Sequence, residues 1–393
     1  MRTVIVGAGI AGVSAAGALR ASGREGEIVL IGDEPELPYR RPPVSKEIVR
    51  GEKTTDEIRI KKAEWFAGQQ ITLRTGTTVT SIGDGAVHLD AEELAYDQLL
   101  LATGGRARNP WNAMGIRTLR SVADVPRLQS EMAAGKHLVV VGAGLIGSEI
   151  AASARGLRCE VTLLETAQAP LPRLLPPELA QMYVELHKAE GTDLHTNVTV
   201  SSITDEGETV VRADDGRSWS GPVVVVAVGM EPNIALAEQA GLAIAPPEDG
   251  GGILVDEFGH TSAPGIFAAG DVANQPTPSF LGGVLGGRHR VEHWQGAQNH
   301  GAAVGKNMAG LATPFEEVPW CWSDQYGHTL QVVGWPLATH ELVVRGSLAG
   351  HDFTAYLLED GVVRGAVAMA RPGEIRTARK WIADGARLED VLS

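Results

Sequence analysis

The sequence predicts an α/β chain with two parallel-sheet units of one pattern, followed by a smaller α+β unit. Three observations carry this. The order strand, glycine-rich turn, helix, strand runs from TVIVG through AGVSAAGALRA to EIVLIGDE, and returns as HLVVVG, LIGSEIAASARG and EVTLLE. Such βαβ punctuation belongs to parallel sheets covered by helices. From about Pro314 the texture changes: Trp320, Trp322 and Trp335 fall close together, and short strands such as LVVRGS and VVRGAVAMA alternate with turns. A length of 393 residues accommodates the three units, since a single domain holds roughly 100 to 200 residues.

Between the two copies lie a Pro/Tyr/Arg-rich loop (LPYRRPPVSK), an aromatic segment near Trp65, short strands such as TVTSI, and the apolar strand QLLLATGG. After the second copy, TNVTVSSITDEGETVVRADDGRS reads as hairpin-like strands rich in Thr, Val and turn residues, and PVVVVAVGM as a buried strand.

Composition narrows the possible partners. Hydrophobic residues make up 44% and charged residues 21%, as in globular proteins. A net charge of −14 opposes binding to nucleic acid or to an anionic membrane surface, both of which attract Lys/Arg-rich faces. The two cysteines, Cys159 and Cys321, are far apart and form no CxxC, so neither a disulfide framework nor a metal site is expected. The first apolar segment is the strand that enters the first glycine turn, and no apolar run approaches the roughly 20 residues of a membrane span. A cytoplasmic location is expected.

The glycine turns carry the first chemistry. In Gly7-Ala8-Gly9-Ile10-Ala11-Gly12 the first glycine allows the tight turn, the second lets the backbone approach a pyrophosphate, and the third lets the helix sit close to the sheet. The phosphate then meets the helix N-terminus, whose N–H groups and dipole favour an anion. Gly142-Ala143-Gly144-Leu145-Ile146-Gly147 repeats these parts. Each copy ends its second strand on an acid, Asp33 with Glu34 in the first and Glu165 in the second, at the offset expected for a carboxylate on a ribose hydroxyl. Two Rossmann-like domains binding two dinucleotides are therefore expected, one a flavin dinucleotide and the other a nicotinamide dinucleotide, with a hydride passing between them. Glu165 would accept from a 2′-hydroxyl and repel a 2′-phosphate, which favours NADH over NADPH. Arg173 stands where it would reach the adenosine end or remain a surface charge.

The chain resembles the FAD-dependent pyridine nucleotide oxidoreductases, and within them the NADH-dependent ferredoxin and rubredoxin reductases that serve oxygenases. The resemblance rests on LPYRRPPVSK (residues 37–46), LLLATGGRAR (99–108), the second glycine turn with Glu149, GMEPNIALAEQAGL (229–242), GILVDEFGHTSAPGIFAAGDVA (252–273), RVEHWQGAQNHG (290–301) and PWCWSDQYGHTLQVVG (319–334). It implies an FAD domain from residues 1–110 and 232–312, an NAD domain from 111–231, and a C-terminal domain from 313–393. It also implies that Lys46 lies beside the flavin ring, where a cation stabilises the reduced form, and pairs with Glu149 near the nicotinamide. Asp271, after Gly270, would contact the ribityl chain. Ala11, Arg41, Val79, Ala102, Thr103, Gly104 and Arg120 align with positions that touch FAD, and Val228 and Gly229 with positions along NAD. His289 and Trp294 would close the flavin site from its C-terminal side.

Disulfide reductases of the wider superfamily carry a cysteine pair beside the flavin; residues 33–50 here contain none. Electrons would then leave the flavin singly, to an acidic iron–sulfur ferredoxin or rubredoxin. The run Arg288, His289 and Arg290 is expected to steer that partner, with Glu292 as an alternative internal partner for one arginine. The glycine-rich or basic stretches HTSAPG (260–265) and GGVLGGRHR (282–290), and Arg40 where an acid is common, depart from the family pattern. A monomer or weak homodimer is expected. Two other functions stay open: an NADH oxidase, and an NADH-sensing flavoprotein that binds a partner when reduced.

Overall fold

A computed structural model describes residues 1–83, 85–90, 92–278, 280 and 287–391. The chain forms two units of three segments each. The first comprises Met1–Arg40, Asp56–Arg106 and Glu231–Pro319, and the second Arg41–Thr55, Ala107–Met230 and Trp320–Ser393. Most of the GGVLGG stretch lies outside the described residues.

The first unit is built on a parallel sheet with the strand order Ile266–Ala268, Gln98–Leu101, Arg2–Val6, Glu27–Ile31, Ile71–Arg74. Val4, Ile5, Leu99 and Leu100 are all fully buried, as strands covered on both faces must be. The helix Ile10–Ala21 follows the central strand and meets the helix Trp294–Met308 at close range. A Cβ at Gly301 would lie 2.2 Å from the Ala11 carbonyl oxygen, and one at Gly305 2.5 Å from that of Ala15. Only glycine at this four-residue spacing lets the two backbones approach so far. A three-stranded antiparallel ribbon, Val79–Gly83, Ala86–Leu89 and Glu93–Ala95, completes the copy.

The second unit repeats this layout with different residues. Its parallel sheet runs Asp193–His195, Glu160–Leu164, His137–Val141, Val223–Val226, Ile116–Arg117, and its ribbon is Val200–Asp205, Thr209–Ala213 and Ser218–Gly221. The same unit contains a five-stranded antiparallel sheet, ordered Trp320–Gln325, His328–Gly334, Val362–Met369, Asp352–Glu359, Glu341–Ser347. The helix Pro372–Asp384 covers it through buried Ile375, Ala378 and Ile382. Leu179, Tyr183 and Leu186 of the helix Pro177–Ala189 share one buried cluster with Val332, Phe353 and Val367 of that sheet. The C-terminal strands thus share a core with the second βαβ copy. No helix among the described residues is long and apolar enough to cross a membrane.

Candidate cofactor sites and a buried charged cluster

The three glycines of each turn answer to different causes. Gly7 (φ +111°) and Gly142 (φ +97°) have left-handed backbones, and a Cβ on them would lie 2.1 Å from the Ala102 carbonyl oxygen and 2.5 Å from that of Ala227. A Cβ on Gly12 would lie 2.0 Å from the Gly7 oxygen, and one on Gly147 1.9 Å from the Gly142 oxygen. The chain itself therefore demands glycine at the first and third positions. The second position is different. Gly9 and Gly144 have ordinary φ values of −71° and −72°, and a Cβ on either would meet nothing within 4 Å. Neither strain nor packing calls for glycine there. Open space faces these residues at the start of a 12-residue helix that has no side-chain cap and no acid in its first turn. That is an anion cradle, present twice.

At the second cradle Glu165 is 8% exposed, and its carboxylate accepts from the N–H of Ala143 (2.6 Å) and of Ala167 (2.9 Å). These bonds fix it beside the turn, and each oxygen keeps a further lone pair for a ribose hydroxyl. Ile146 is 41% exposed in the turn, Val228 is half-buried, and Gly229 (φ +113°) is exposed. Arg173 is exposed.

At the first cradle the acid falls out of step. Gly32 donates to the Arg74 carbonyl as Glu165 donates to that of His195, so Gly32 holds the place equivalent to Glu165. A Cβ on Gly32 would press to 2.7 Å from the Ala8 Cβ. The acid is displaced to Asp33, which is exposed, while Glu34 accepts from the Tyr39 hydroxyl. Around this turn Ala11 and Ala102 are buried, and Thr103 and Asn233 exchange side-chain-to-backbone bonds of 2.8 and 2.9 Å next to Gly104. Gly270 (φ +77°) lies where a Cβ would come within 2.8 Å of the Ala11 Cβ, and its N–H donates to His300 Nδ1 at 3.2 Å. Asp271 follows it and Trp294 opens the helix behind. Val79 is buried in a core cluster of the same unit.

The Arg288, His289 and Arg290 run is turned inward, which corrects the steering role expected of it. Arg288 donates to the carbonyls of Val255 and Asn274. Arg290, 8% exposed, donates to the carbonyls of Gly250 (2.8 Å) and Asp271 (2.9 Å) and to Glu292 (2.6 Å). His289 is buried against Gln275 and Thr277, and burial with the neighbouring Arg288 charge pushes its titration down to about 4. Backbone carbonyls of Gly250, Val255, Asp271 and Asn274, with the Glu292 carboxylate, take up these guanidinium donors.

The second unit holds a buried charged cluster. Lys46 and Glu149 are 5% and 4% exposed, and Lys46 Nζ lies 2.9 Å from Glu149 Oε1. Ser323 Oγ also reaches Oε1, at 2.8 Å, and Ser45 Oγ bonds Oε2. Asp324 Oδ2 stands 3.6 Å from Lys46 Nζ, and the Trp322 ring centroid 6.0 Å from it. Arg41 donates to the carbonyl of Arg120, whose N–H is held by Asp124. Burial and the Glu149 charge push the Cys321 thiol up to about 12. Sequence reasoning found Lys46 and Glu149 but missed Ser45 and Ser323. A signal existed for the latter: in WCWSDQ the buried phase is Cys321, Ser323, Gln325, and polar residues on the inward face of a strand mark a partner inside.

Comparison with known proteins agrees with this geometry. Residues 1–301 match the family described as pyridine nucleotide-disulphide oxidoreductase, and residues 320–392 that described as reductase C-terminal. The chain is 36% identical over 390 residues to the ferredoxin–NAD(+) reductase component of the p-cumate 2,3-dioxygenase system of Pseudomonas putida, covering 97% of this chain and 93% of that one. It is 38% identical over 393 residues to the corresponding component of the anthranilate 1,2-dioxygenase system of Burkholderia cepacia, covering 98% and 94%. Its fold matches the reductase in the crystal structure of the covalent putidaredoxin reductase–putidaredoxin complex with a TM-score of 0.89 and 35% identity, covering 98% and 93%.

Proposed function

Because this chain belongs to the pyridine nucleotide-disulphide oxidoreductase family, we propose that it takes a hydride from NADH onto FAD and passes single electrons to a ferredoxin or rubredoxin feeding an oxygenase. The observation that carries the reading is the pair of second-position glycines, Gly9 and Gly144, which nothing in the chain requires and two pyrophosphates would. Bound FAD supplies the step from two-electron to one-electron chemistry. The chain's own residues bind and orient. We assign FAD to residues 1–110 and 232–312, with Gly7, Gly9 and Gly12 at the phosphates, Asp33 or Glu34 at the ribose and Asp271 at the ribityl chain. NAD falls to residues 111–231, with Gly142, Gly144 and Gly147 at the phosphates and Glu165 at the ribose, and residues 313–393 form the C-terminal domain. Lys46, buried and held by Glu149, is the cation we assign to the reduced flavin. Both cysteines are buried thiols, Cys159 and Cys321, and neither lies in residues 33–50, so the route out runs to the iron–sulfur protein and not through a disulfide. We place the protein in the cytoplasm.

The deciding experiment is steady-state NADH oxidation by the FAD-loaded protein with an added ferredoxin, beside oxygen alone. Turnover that depends on the ferredoxin is expected. Equal turnover with oxygen alone would make the chain an NADH oxidase, and flavin reduction without turnover on either acceptor would leave the sensing role.

Cofactor choice has its own test. NADH should outperform NADPH, and Glu165→Ala should lower efficiency with NADH by roughly tenfold, the worth of one hydrogen bond to a charged acceptor, while affecting NADPH far less. Equal efficiency with both cofactors in the unaltered protein would count against Glu165.

A further inference from the structure

We propose that Ser323, contributed by the C-terminal sheet, is a positioning residue for the Lys46–Glu149 pair; the proposal rests on the assignment of Lys46 to the reduced flavin. Ser323 is fully buried and stands 2.8 Å from Glu149 Oε1, the same oxygen that takes Lys46 Nζ at 2.9 Å. A carboxylate only accepts, so the Ser323 hydroxyl proton must point at Glu149. With its one proton committed, Ser323 can only accept from Gln325, whose Nε2 lies 3.0 Å from Oγ and which is itself 1% exposed. The direction of the chain Gln325 to Ser323 to Glu149 is therefore forced. Ser45 Oγ donates to the other oxygen, and Ser45 in turn is anchored through its carbonyl, which accepts from Ser153 Oγ at 2.8 Å.

Glu149 thus receives two hydroxyl donors besides the ammonium. Each takes up part of the carboxylate charge that would otherwise fall wholly on Lys46, and a hydrogen bond to a buried charge is among the stronger ones in a protein. Lys46 already faces a second carboxylate, Asp324, at 3.6 Å. Without Ser323, Oε1 has only Lys46, the pair neutralises itself more completely, and less positive field remains to favour reduced flavin.

The test is the flavin midpoint potential of the FAD-loaded protein, measured by dye-equilibrated redox titration in Ser323→Ala, Ser323→Thr and Lys46→Ala. Ser323→Ala removes one oxygen and needs no extra room. Its potential should fall by about 30 mV, a tenfold change for the two-electron couple, in the direction of the Lys46→Ala shift, and Ser323→Thr should restore it. Should the threonine prove too large to accommodate, Gln325→Leu serves in its place and should lower the potential in the same direction. An unchanged potential in Ser323→Ala beside a lowered one in Lys46→Ala overturns the role of Ser323 alone. A fall that neither the threonine hydroxyl reverses nor Gln325→Leu reproduces also overturns it, as a packing effect. If neither Ser323→Ala nor Lys46→Ala moves the potential, the Lys46 assignment falls and this proposal with it; ferredoxin-dependent turnover stands or falls separately.

Discussion

Replacing Gly144 by valine should abolish flavin reduction by NADH while leaving the fold and the FAD content intact. The backbone at Gly144 has a φ of −72°, which any residue adopts, and the new Cβ would meet no atom of the chain within 4 Å. The only thing it displaces is a ligand. Close approach of a pyrophosphate to helix N–H groups supplies several charge-assisted bonds, each worth about 1.5 to 3 kcal/mol, so losing the approach should cost at least a hundredfold in NADH efficiency, roughly 2.7 kcal/mol. Chemical reduction of the flavin, which needs no nicotinamide, should proceed as before. Gly147→Ala makes the contrasting control: its methyl would lie 1.9 Å from the Gly142 oxygen, a backbone atom that cannot step aside, and the protein should lose stability. If Gly144→Val reduced normally with NADH, the second cradle would not be the nicotinamide site; if it unfolded as Gly147→Ala does, the space beside Gly144 would belong to the chain and not to a ligand.

What the sequence revealed and what it hid divide along physical lines. The two βαβ copies were legible because strands buried on both faces are continuous apolar runs, and the turn between strand and helix has few glycine-dependent solutions. The C-terminal strands could be seen as a change of texture, but not that their sheet shares a core with the helix Pro177–Ala189, since nothing local encodes such a contact. The ribose acid was legible in the second copy and blurred in the first. There the decisive fact is a clash between Gly32 and Ala8, residues that adjoin only in the folded turn. The charge run at Arg288 and Arg290 misled for a similar reason: its partners are carbonyls of Gly250, Val255, Asp271 and Asn274, up to 40 residues away. Gly301 and Gly305 were visible as letters, but their reason, the backbone of Ala11 and Ala15, was not.

The FAD-loaded protein should also lose stability steeply between pH 6.5 and 5, well above the range where carboxylates protonate. Three histidines have almost no exposed surface and are neutral in the fold, and a fourth, His293, is likewise pushed down to about 4 by burial against the pull of the Asp271 charge. His187, with no exposed surface, bonds Tyr326 OH through Nδ1 at 2.8 Å, and burial pushes its titration down to about 4. His300 accepts the Gly270 N–H, stacks on Phe315 with ring centroids 4.6 Å apart, and is pushed down to about 3 by burial and by His289. His289 titrates at about 4 by burial and the Arg288 charge. In the unfolded chain each takes a proton near pH 6.5. Below that value the unfolded state binds more protons than the folded one, so stability falls as the pH falls, and goes on falling until the folded values near 4 are reached. Each histidine contributes about 1.4 kcal/mol per pH unit inside the window, so the three together remove on the order of 6 kcal/mol between pH 7 and 5, comparable to the roughly 5 to 15 kcal/mol that holds a domain together. His289 and His300 share the first unit with the first glycine turn, so loss of FAD should accompany the transition. Urea-unfolding midpoints measured from pH 7.5 to 5, with flavin release followed in parallel, provide the check; a midpoint that stays level down to pH 5 would mean that these imidazoles accept protons in the folded state.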